Sequence, residues 1–213
     1  MEQIPAQYRY ALTPTERGIK RLFDIVASIL GLIIFAIPIL ICYVLIKRED
    51  GGPAIFKQER VGRNGKLFHI LKFRSMRIDS EKEGPQLSEG DIDLRLLKCG
   101  RYLRATHLDE IPQLLNVLWG DMSFVGPRPE RLYYINLIKE NDARYDYILQ
   151  MRPGLTSFAT IYNGYTHTME EMLRRLRYDL FYLTHASFGT DLLIIFRTVQ
   201  QFITSLFQPQ TEE

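Results

Sequence analysis

Thr106–Pro129 reads THLDEIPQLLNVLWGDMSFVGPRP, and the rest of the chain is arranged around it. Two adjacent carboxylates, Asp109 and Glu110, stand at its head. Thr106 followed three residues later by Asp109 has the form of a capping box. The apolar run Leu114, Leu115, Val117 and Leu118 behind it has helical spacing. The pattern therefore predicts a helix that starts at Thr106, with Pro112 in its first turn or two, where a missing N–H costs little. A helix N-terminus carries unpaired N–H groups and partial positive charge, so acids there stay ionised and phosphate is favoured. Consecutive helical residues point roughly 100° apart. One carboxylate can then face a reacting phosphorus while its neighbour holds a metal. The ordinary role of such a pair is a solvated cap on the helix dipole.

The residues beyond Trp119 narrow the choice. Gly120–Ser123 reads as a turn and Phe124-Val125 as a short apolar run, after which Gly126-Pro127-Arg128-Pro129 sets an arginine between two prolines. Each proline fixes its own φ and drives its predecessor toward extended backbone, so Arg128 projects from a stiff segment. A planar guanidinium held that way suits a diphosphate, although an arginine in a turn is also commonly just exposed.

LDEIPQLLNVLWGDMSFVGPRP resembles the core motif of the monotopic phosphoglycosyl transferases, the bacterial sugar transferases that begin glycan assembly on polyprenyl phosphate. The resemblance extends upstream through KRLFD (Lys20–Asp24) and LKFRSM (Leu71–Met76), and downstream through RPG (Arg152–Gly154). It covers nearly everything from Gly18 to about Ile203. It implies a small α+β monotopic membrane enzyme with a re-entrant membrane helix, amphipathic interfacial helices and a β-hairpin. The implied reaction moves a sugar-1-phosphate from a UDP-sugar to polyprenyl (undecaprenyl) phosphate and releases UMP, as the first membrane step of glycoconjugate or exopolysaccharide assembly. In it Asp109 is the nucleophile that forms a phosphosugar-aspartyl intermediate, Glu110 holds Mg2+, and Lys72 is the catalytic lysine. Arg104, Arg128 and Asp179 complete the substrate site. The implied location is the cytoplasmic leaflet of the bacterial inner membrane. Two departures stand out. The family has Ser-Pro at the helix break where this chain has Ile37-Pro38, and isoleucine cannot satisfy the backbone groups a kink frees. Relatives commonly read ITGWAQ and then NGR where this chain has LTSFATIYNG, with Ser157, Phe158, Thr160 and Tyr165 at the corresponding places.

Composition agrees with one domain. The chain has 213 residues and a net charge of +2, long enough for a real core and without the basic excess of a nucleic-acid binder. Two cysteines, Cys42 and Cys99, make no disulfide framework. The four histidines, His69, His107, His167 and His185, lack ligand spacing, which argues against zinc.

Ile25–Ile46 is uncharged and mostly apolar, long enough at about 1.5 Å per residue to cross a hydrocarbon core of roughly 30 Å. Arg17, Lys20 and Arg21 precede it, and Lys47 and Arg48 come directly after. The positive-inside tendency places both flanks, with Lys20 and Arg21 at the membrane interface, on one side. Pro38 breaks the run. Together these predict a helix–break–helix over 19–48 with its break at Ile37-Pro38, after an arm over 1–18. A catalytic unit over 49–205 and a disordered tail over 206–213 complete the organisation.

Within that unit, Ile55–Val61 and Lys66–Met76 read as strands joined by Gly62–Gly65, a hairpin in which Lys72 and Arg74 share a face. The charged stretch Asp79–Asp93 reads as a mobile loop, either a lid or a connector. Leu94–Arg104, Leu132–Ile138 and Met169–Thr184 have helical spacing. In the last of these Arg174, Arg175 and Arg177 read as mostly solvated, and Asp179 reads as a surface partner for Arg175. Leu192, Ile195, Phe196, Val199, Phe202, Ile203 and Leu206 form an apolar stripe opposite Asp191, Arg197, Gln200 and Gln201. That stripe suits packing on the core and the membrane interface equally. The sequence sets neither the sugar nor the oligomeric state, and a homo-oligomer is compatible with it. Two other readings use the same residues: a membrane-anchored metal-dependent phosphodiesterase or nucleotide-sugar hydrolase, and a catalytically silent membrane scaffold.

Overall fold

The first long helix, α1 (Pro14–Ile34), begins in a capping box. The Thr13 hydroxyl accepts the Glu16 N–H at 3.3 Å, the Glu16 carboxylate accepts the Thr13 N–H at 2.8 Å, and Pro14 takes the first helical position. The helix thus takes in Pro14–Gly18, which the sequence reading places in the arm. A computed structural model describes residues 4–78, 80, 95–164, 166 and 168–207, the last three by backbone alone. The predicted loop 79–93, apart from Ser80, lies outside the described residues, as do Tyr165, His167 and residues 208–213.

α1 is followed by α2 (Ala36–Asp50), and the two are bent by 62°. The bend falls at Phe35 (φ −90°, ψ 9°), not at the predicted Ile37-Pro38. Pro38 is the third residue of α2, in the turn whose N–H groups lack intrahelical partners anyway. Its ring would clash with the carbonyl four residues back, that of Ile34, so the helix gives way ahead of the proline. Among the described residues no single helix is long and apolar enough to cross a membrane, although this bent pair passes by length and composition together. Its outer surface is apolar: Leu22, Ile29, Leu30, Ile33, Leu40 and Ile41 are exposed, and Ile34 and Ile37 are each 71% exposed.

β1 (Ile55–Val61) and β2 (Leu67–Phe73) form the predicted antiparallel hairpin, with Phe56 opposite Lys72. A 3-10 turn over Arg63–Gly65 joins them, and its Asn64 and Gly65 hold the positive φ values, 57° and 75°, that such a turn requires. Next come α3 (Lys98–Ala105) and α4 (Gln113–Trp119), then β3 (Ser123–Val125), α5 (Leu132–Asn141) and α6 (Tyr145–Ile148). The order closes with β4 (Gly154–Thr156), α7 (Phe158–Asn163), α8 (Met169–His185) and α9 (Phe188–Phe207). β3 and β4 pair in parallel as a second small sheet. Gly126 and Gly154 meet there so closely that a Cβ on Gly126 would lie 2.1 Å from the Arg152 carbonyl oxygen. That contact explains why GPRP and RPG need glycine at those places. Among the described residues the architecture is α+β, dominated by helices, with two separate two-stranded sheets.

The largest core gathers Val125, Ile135, Ile138, Met151, Leu176, Leu183 and Ile194 beneath α8. A second joins Cys42 and Ile46 of α2 to Phe73 and Leu103, and a third packs Phe68 and Ile70 of β2 on Val117 and Met122. The apolar stripe of α9 faces outward: Leu192, Phe196, Val199 and Ile203 are exposed, while Ile194 enters the core. Asp191, expected on the polar outer face, is buried instead, because Lys20 and the Tyr182 hydroxyl both bind it.

Candidate active site

The acidic pair lies between β2, α3 and α4. Thr106 does not start the next helix as predicted. It ends α3, where its hydroxyl donates to the Tyr102 carbonyl at 2.7 Å. His107 then adopts left-handed backbone (φ 51°), and Leu108–Glu110 form a 3-10 turn. Leu108 packs against the core beside Leu103, which draws the chain through this corner. Only then, after Pro112, does α4 begin. Asp109 and Glu110 therefore sit on a tight turn ahead of the helix and not within its first turn.

β2 is locked in place by Asn116, a buried polar residue amid the apolar positions of α4. Its side-chain carbonyl accepts the Leu71 N–H at 2.9 Å and its amide donates to the His69 carbonyl at 2.8 Å. With the strand so fixed, Lys72 Nζ donates to Glu110 Oε1 at 2.6 Å. The two carboxylates differ sharply in acidity. Burial, reinforced by the Glu110 charge, pushes Asp109 up to about 6 against the pull of Lys72, His107 and Arg104. Burial also raises Glu110, but Lys72 and Arg128 outweigh it and hold that carboxyl at about 2. Neighbouring acids pushed apart in this way mark a site where each has its own role.

Arg104 reaches the same place from the last turn of α3, with Nε donating to the Ser75 hydroxyl at 3.0 Å. Its charge acts on Asp109, whereas Arg101 is exposed. Arg128, with a side chain 48% exposed, acts on Glu110 and lies 4.0 Å from Glu130. Lys72, Arg104 and Arg128 thus converge on the acidic pair. Arg74 does not join them. It lies just past the end of β2, buried, and its guanidinium clasps Asp50 at the end of α2 and donates to the Pro53 carbonyl.

Asp179 belongs to a neighbouring cluster. It is buried in α8, and among the described residues its Oδ1 has no hydrogen-bond partner. Burial first, and then Glu130, pushes it up to about 7 against the attraction of Arg175. Arg175 is not the solvated cation expected; it is buried and donates to Glu130 Oε1 at 2.7 Å. Arg60 approaches the same carboxylate at 3.6 Å. Glu130 thus collects Arg60, Arg128 and Arg175, and through Arg128 it links Asp179 to the acidic pair.

Lys20 and Arg21 are turned inward, toward protein groups. Lys20 pairs with Asp191, and Arg21 donates to the Val117 and Leu118 carbonyls at the end of α4 (2.5 and 2.7 Å). Asp24 is buried one turn on and accepts the Ser123 hydroxyl at 3.1 Å and the Phe124 N–H at 3.0 Å. The motif KRLFD therefore bolts α1 onto α9, α4 and β3.

Sequence reading missed Glu130, Asn116, Ser75 and the anchoring role of Asp24. Glu130 directly follows the GPRP motif, and Asn116 interrupts the apolar positions around Leu114 and Val117; both were visible signals. Ser75 carried none beyond its place in LKFRSM.

Among the described residues no three His, Cys, Asp or Glu side chains gather to cage a metal. Mg2+ commonly takes only one or two carboxylates and completes its shell with substrate phosphates and water. Adjacent Asp109 and Glu110 fit that pattern.

Residues 15–205 match the bacterial sugar transferase family. Three curated relatives illustrate the likeness. The UDP-glucose:undecaprenyl-phosphate glucose-1-phosphate transferase of Caulobacter vibrioides is 43% identical over 87% of this chain and 70% of its own length. The enzyme of the same name from Escherichia coli is 38% identical over 90% of this chain and 42% of its own. The UDP-N-acetylgalactosamine-undecaprenyl-phosphate N-acetylgalactosaminephosphotransferase of Aeromonas hydrophila is 36% identical over 90% of this chain and 45% of its own. The chain thus spans less than half the length of two of these relatives, and their sugars differ.

Proposed function

The chain belongs to the bacterial sugar transferase family, and from that premise we propose that it transfers a sugar-1-phosphate from a UDP-sugar to polyprenyl phosphate and releases UMP. The observation that carries this reading is the split acidity of Asp109 and Glu110 under three converging cations. A carboxylate raised to about 6 is mostly ionised at neutral pH, yet it is more basic, and so a better nucleophile, than an ordinary aspartate. In the first step an Asp109 oxygen attacks the β-phosphorus. The bond from that phosphorus to the bridging oxygen breaks, and its electron pair leaves with UMP. In the second step an oxygen of the lipid phosphate attacks the same phosphorus. The acyl-phosphate bond breaks, and Asp109 is returned as a carboxylate.

Lys72, Arg104 and Arg128 offset the charge that builds on the phosphoryl oxygens. Glu110, with Asp109 beside it, would hold Mg2+, which would supply Lewis-acid polarisation of the diphosphate; the 2.6 Å contact from Lys72 would loosen to admit it. A covalent intermediate lets a soluble donor and an embedded acceptor use one small site in turn.

The bent pair α1–α2, its apolar outer surface and the outward stripe of α9 support a re-entrant seat in one leaflet, with the site on the cytoplasmic side. Incubation with donor alone tests the reading. Intact-protein mass should rise by one sugar phosphate, mapped by fragmentation to Asp109, with one UMP released per chain. Turnover of UDP-sugar to free sugar phosphate, with no lipid product when polyprenyl phosphate is added, would identify a hydrolase instead.

A further inference from the structure

Away from the acidic pair, Arg17 and Lys20 of α1, Arg63 of the hairpin turn and Arg152 ahead of β4 line a shallow open cleft, together with Tyr10, Asp24, Ser123 and Gln150. Two charges in this lining are already balanced. Lys20 is paired with Asp191, and Asp24 is occupied by the Ser123 hydroxyl and the Phe124 N–H. The three arginines have no acidic partner among the described residues. Each uses only its Nε, on a backbone carbonyl: Arg17 on Thr13 (3.4 Å), Arg63 on Gln150 (3.0 Å) and Arg152 on Gly120 (2.9 Å). All three are half-buried and line the one cleft from separate elements. Partial burial, with the charges of Arg152 and Arg17 beside it, lowers the Arg63 pKa. Like charges gathered this way at a concave surface are relieved by an anion, and planar guanidinium forks match the oxygens of phosphate.

We propose that this cleft is a second, non-catalytic phosphate-binding site, built by Arg17, Arg63 and Arg152. Its position indicates the source. Arg17, Lys20 and Asp24 line the cleft from one face of α1, and the exposed apolar residues Ile19, Leu22, Val26 and Ile29 project from the opposite face, at about 100° per residue. A ligand in the cleft therefore sits across the helix from that apolar surface, which favours a soluble phosphate over a lipid headgroup.

The test uses the full chain in a neutral maltoside detergent and follows thermal unfolding, since a ligand of the folded state raises Tm with concentration. The Arg128→Gln background weakens phosphate at the acidic pair, so the remaining response reports the cleft. Inorganic phosphate is titrated against chloride at equal ionic strength, and dihexanoyl phosphatidylglycerol against dihexanoyl phosphatidylcholine. Phosphate should still raise Tm, and adding Arg17→Gln with Arg63→Gln should shift the half-effect concentration at least tenfold upward. Arg17→Gln alone, at a helix position outside the core, should shift it severalfold, and its unchanged Tm in chloride verifies folding. Phosphatidylglycerol acting at lower concentration than inorganic phosphate identifies a lipid headgroup. Equal or weaker action, with the same variant effect, identifies free phosphate. A phosphate response that is absent, or that the cleft substitutions leave unmoved, overturns the site.

Discussion

Lys72 Nζ sits 2.6 Å from Glu110 Oε1, and that one contact ties β2 to the turn that carries Asp109. It also sets the electrostatics of the pair. The lysine charge lowers both acids, but Glu110 is in direct contact and falls to about 2, whereas Asp109 feels the lysine only at longer range and burial keeps it near 6. Two residues adjacent in sequence thus differ sharply in acidity.

Replacing the lysine should move the acid limb of the reaction. Lys72 lowers the Asp109 pKa, so Lys72→Met should raise it further and carry the lower limb of kcat/KM up by about one pH unit. The rate at neutral pH should drop by about 10²- to 10³-fold from loss of a cation at the phosphoryl oxygens. Lys72→Arg should keep the limb near its original place. A pH profile of UMP release in the first turnover decides it, and an unshifted limb would mean that some group other than Asp109 titrates.

Glu130 should act by positioning Arg128. Its carboxylate lies 2.7 Å from Arg175, 3.6 Å from Arg60 and 4.0 Å from Arg128. Glu130→Gln keeps the shape but removes the charge that gathers these arginines, and should lower kcat/KM by about 10- to 100-fold with most of the effect in KM for the donor. Glu130→Asp should recover part of it. Equal losses in KM and in thermal stability for both variants would indicate a purely structural role.

The helices and the hairpin were legible because their signals are local. The alternation in Ile55–Val61, the Gly62–Gly65 turn and the 3–4 spacing of α8 each depend on a few neighbouring residues. Long-range charge pairing was not legible. Nothing local to Arg175 tells that Glu130, 45 positions away, binds it, or that Lys20 buries Asp191. The Thr106 signal misled because a hydroxyl can close the helix behind it as well as open the one ahead. The bend was found but displaced, since proline disturbs the turn before itself. At the site, motif likeness singled out Lys72, Arg104, Asp109, Glu110 and Arg128, and the three-dimensional arrangement converges them. Asp179 came the same way but lies one layer further out, reached through Glu130.

The bent pair predicts where its ends lie. With a 62° bend at Phe35, and α1 bound to the catalytic body through Arg21, Asp24 and Lys20, both ends should remain on one membrane face. In a background of Cys42→Ala and Cys99→Ser, single cysteines at the exposed positions Thr15 and Arg48 should both react with a membrane-impermeant maleimide only in inside-out vesicles. Labelling of the two from opposite sides would establish a true span.

Asp179 sets a stability test with a definite sign. Burial raises this carboxyl from 3.8 to about 7, so between those values the folded chain binds a proton that the unfolded chain has released. Stability from this group is therefore full below about pH 4, declines as pH rises, and is lowest above pH 7. At about 1.4 kcal/mol per unit the loss is on the order of 2–4 kcal/mol. Asp179→Asn cannot ionise and escapes it. The variant should match the parent chain at pH 4 and unfold about 5 °C higher at pH 8, at roughly 2–4 °C per kcal/mol for a chain of this size. If the same substitution also lowers transfer at pH 8, the charge is retained there for the reaction at a cost in stability. A Tm difference that stays constant from pH 4 to pH 8 would show instead that Asp179 has a partner strong enough to keep it ionised throughout.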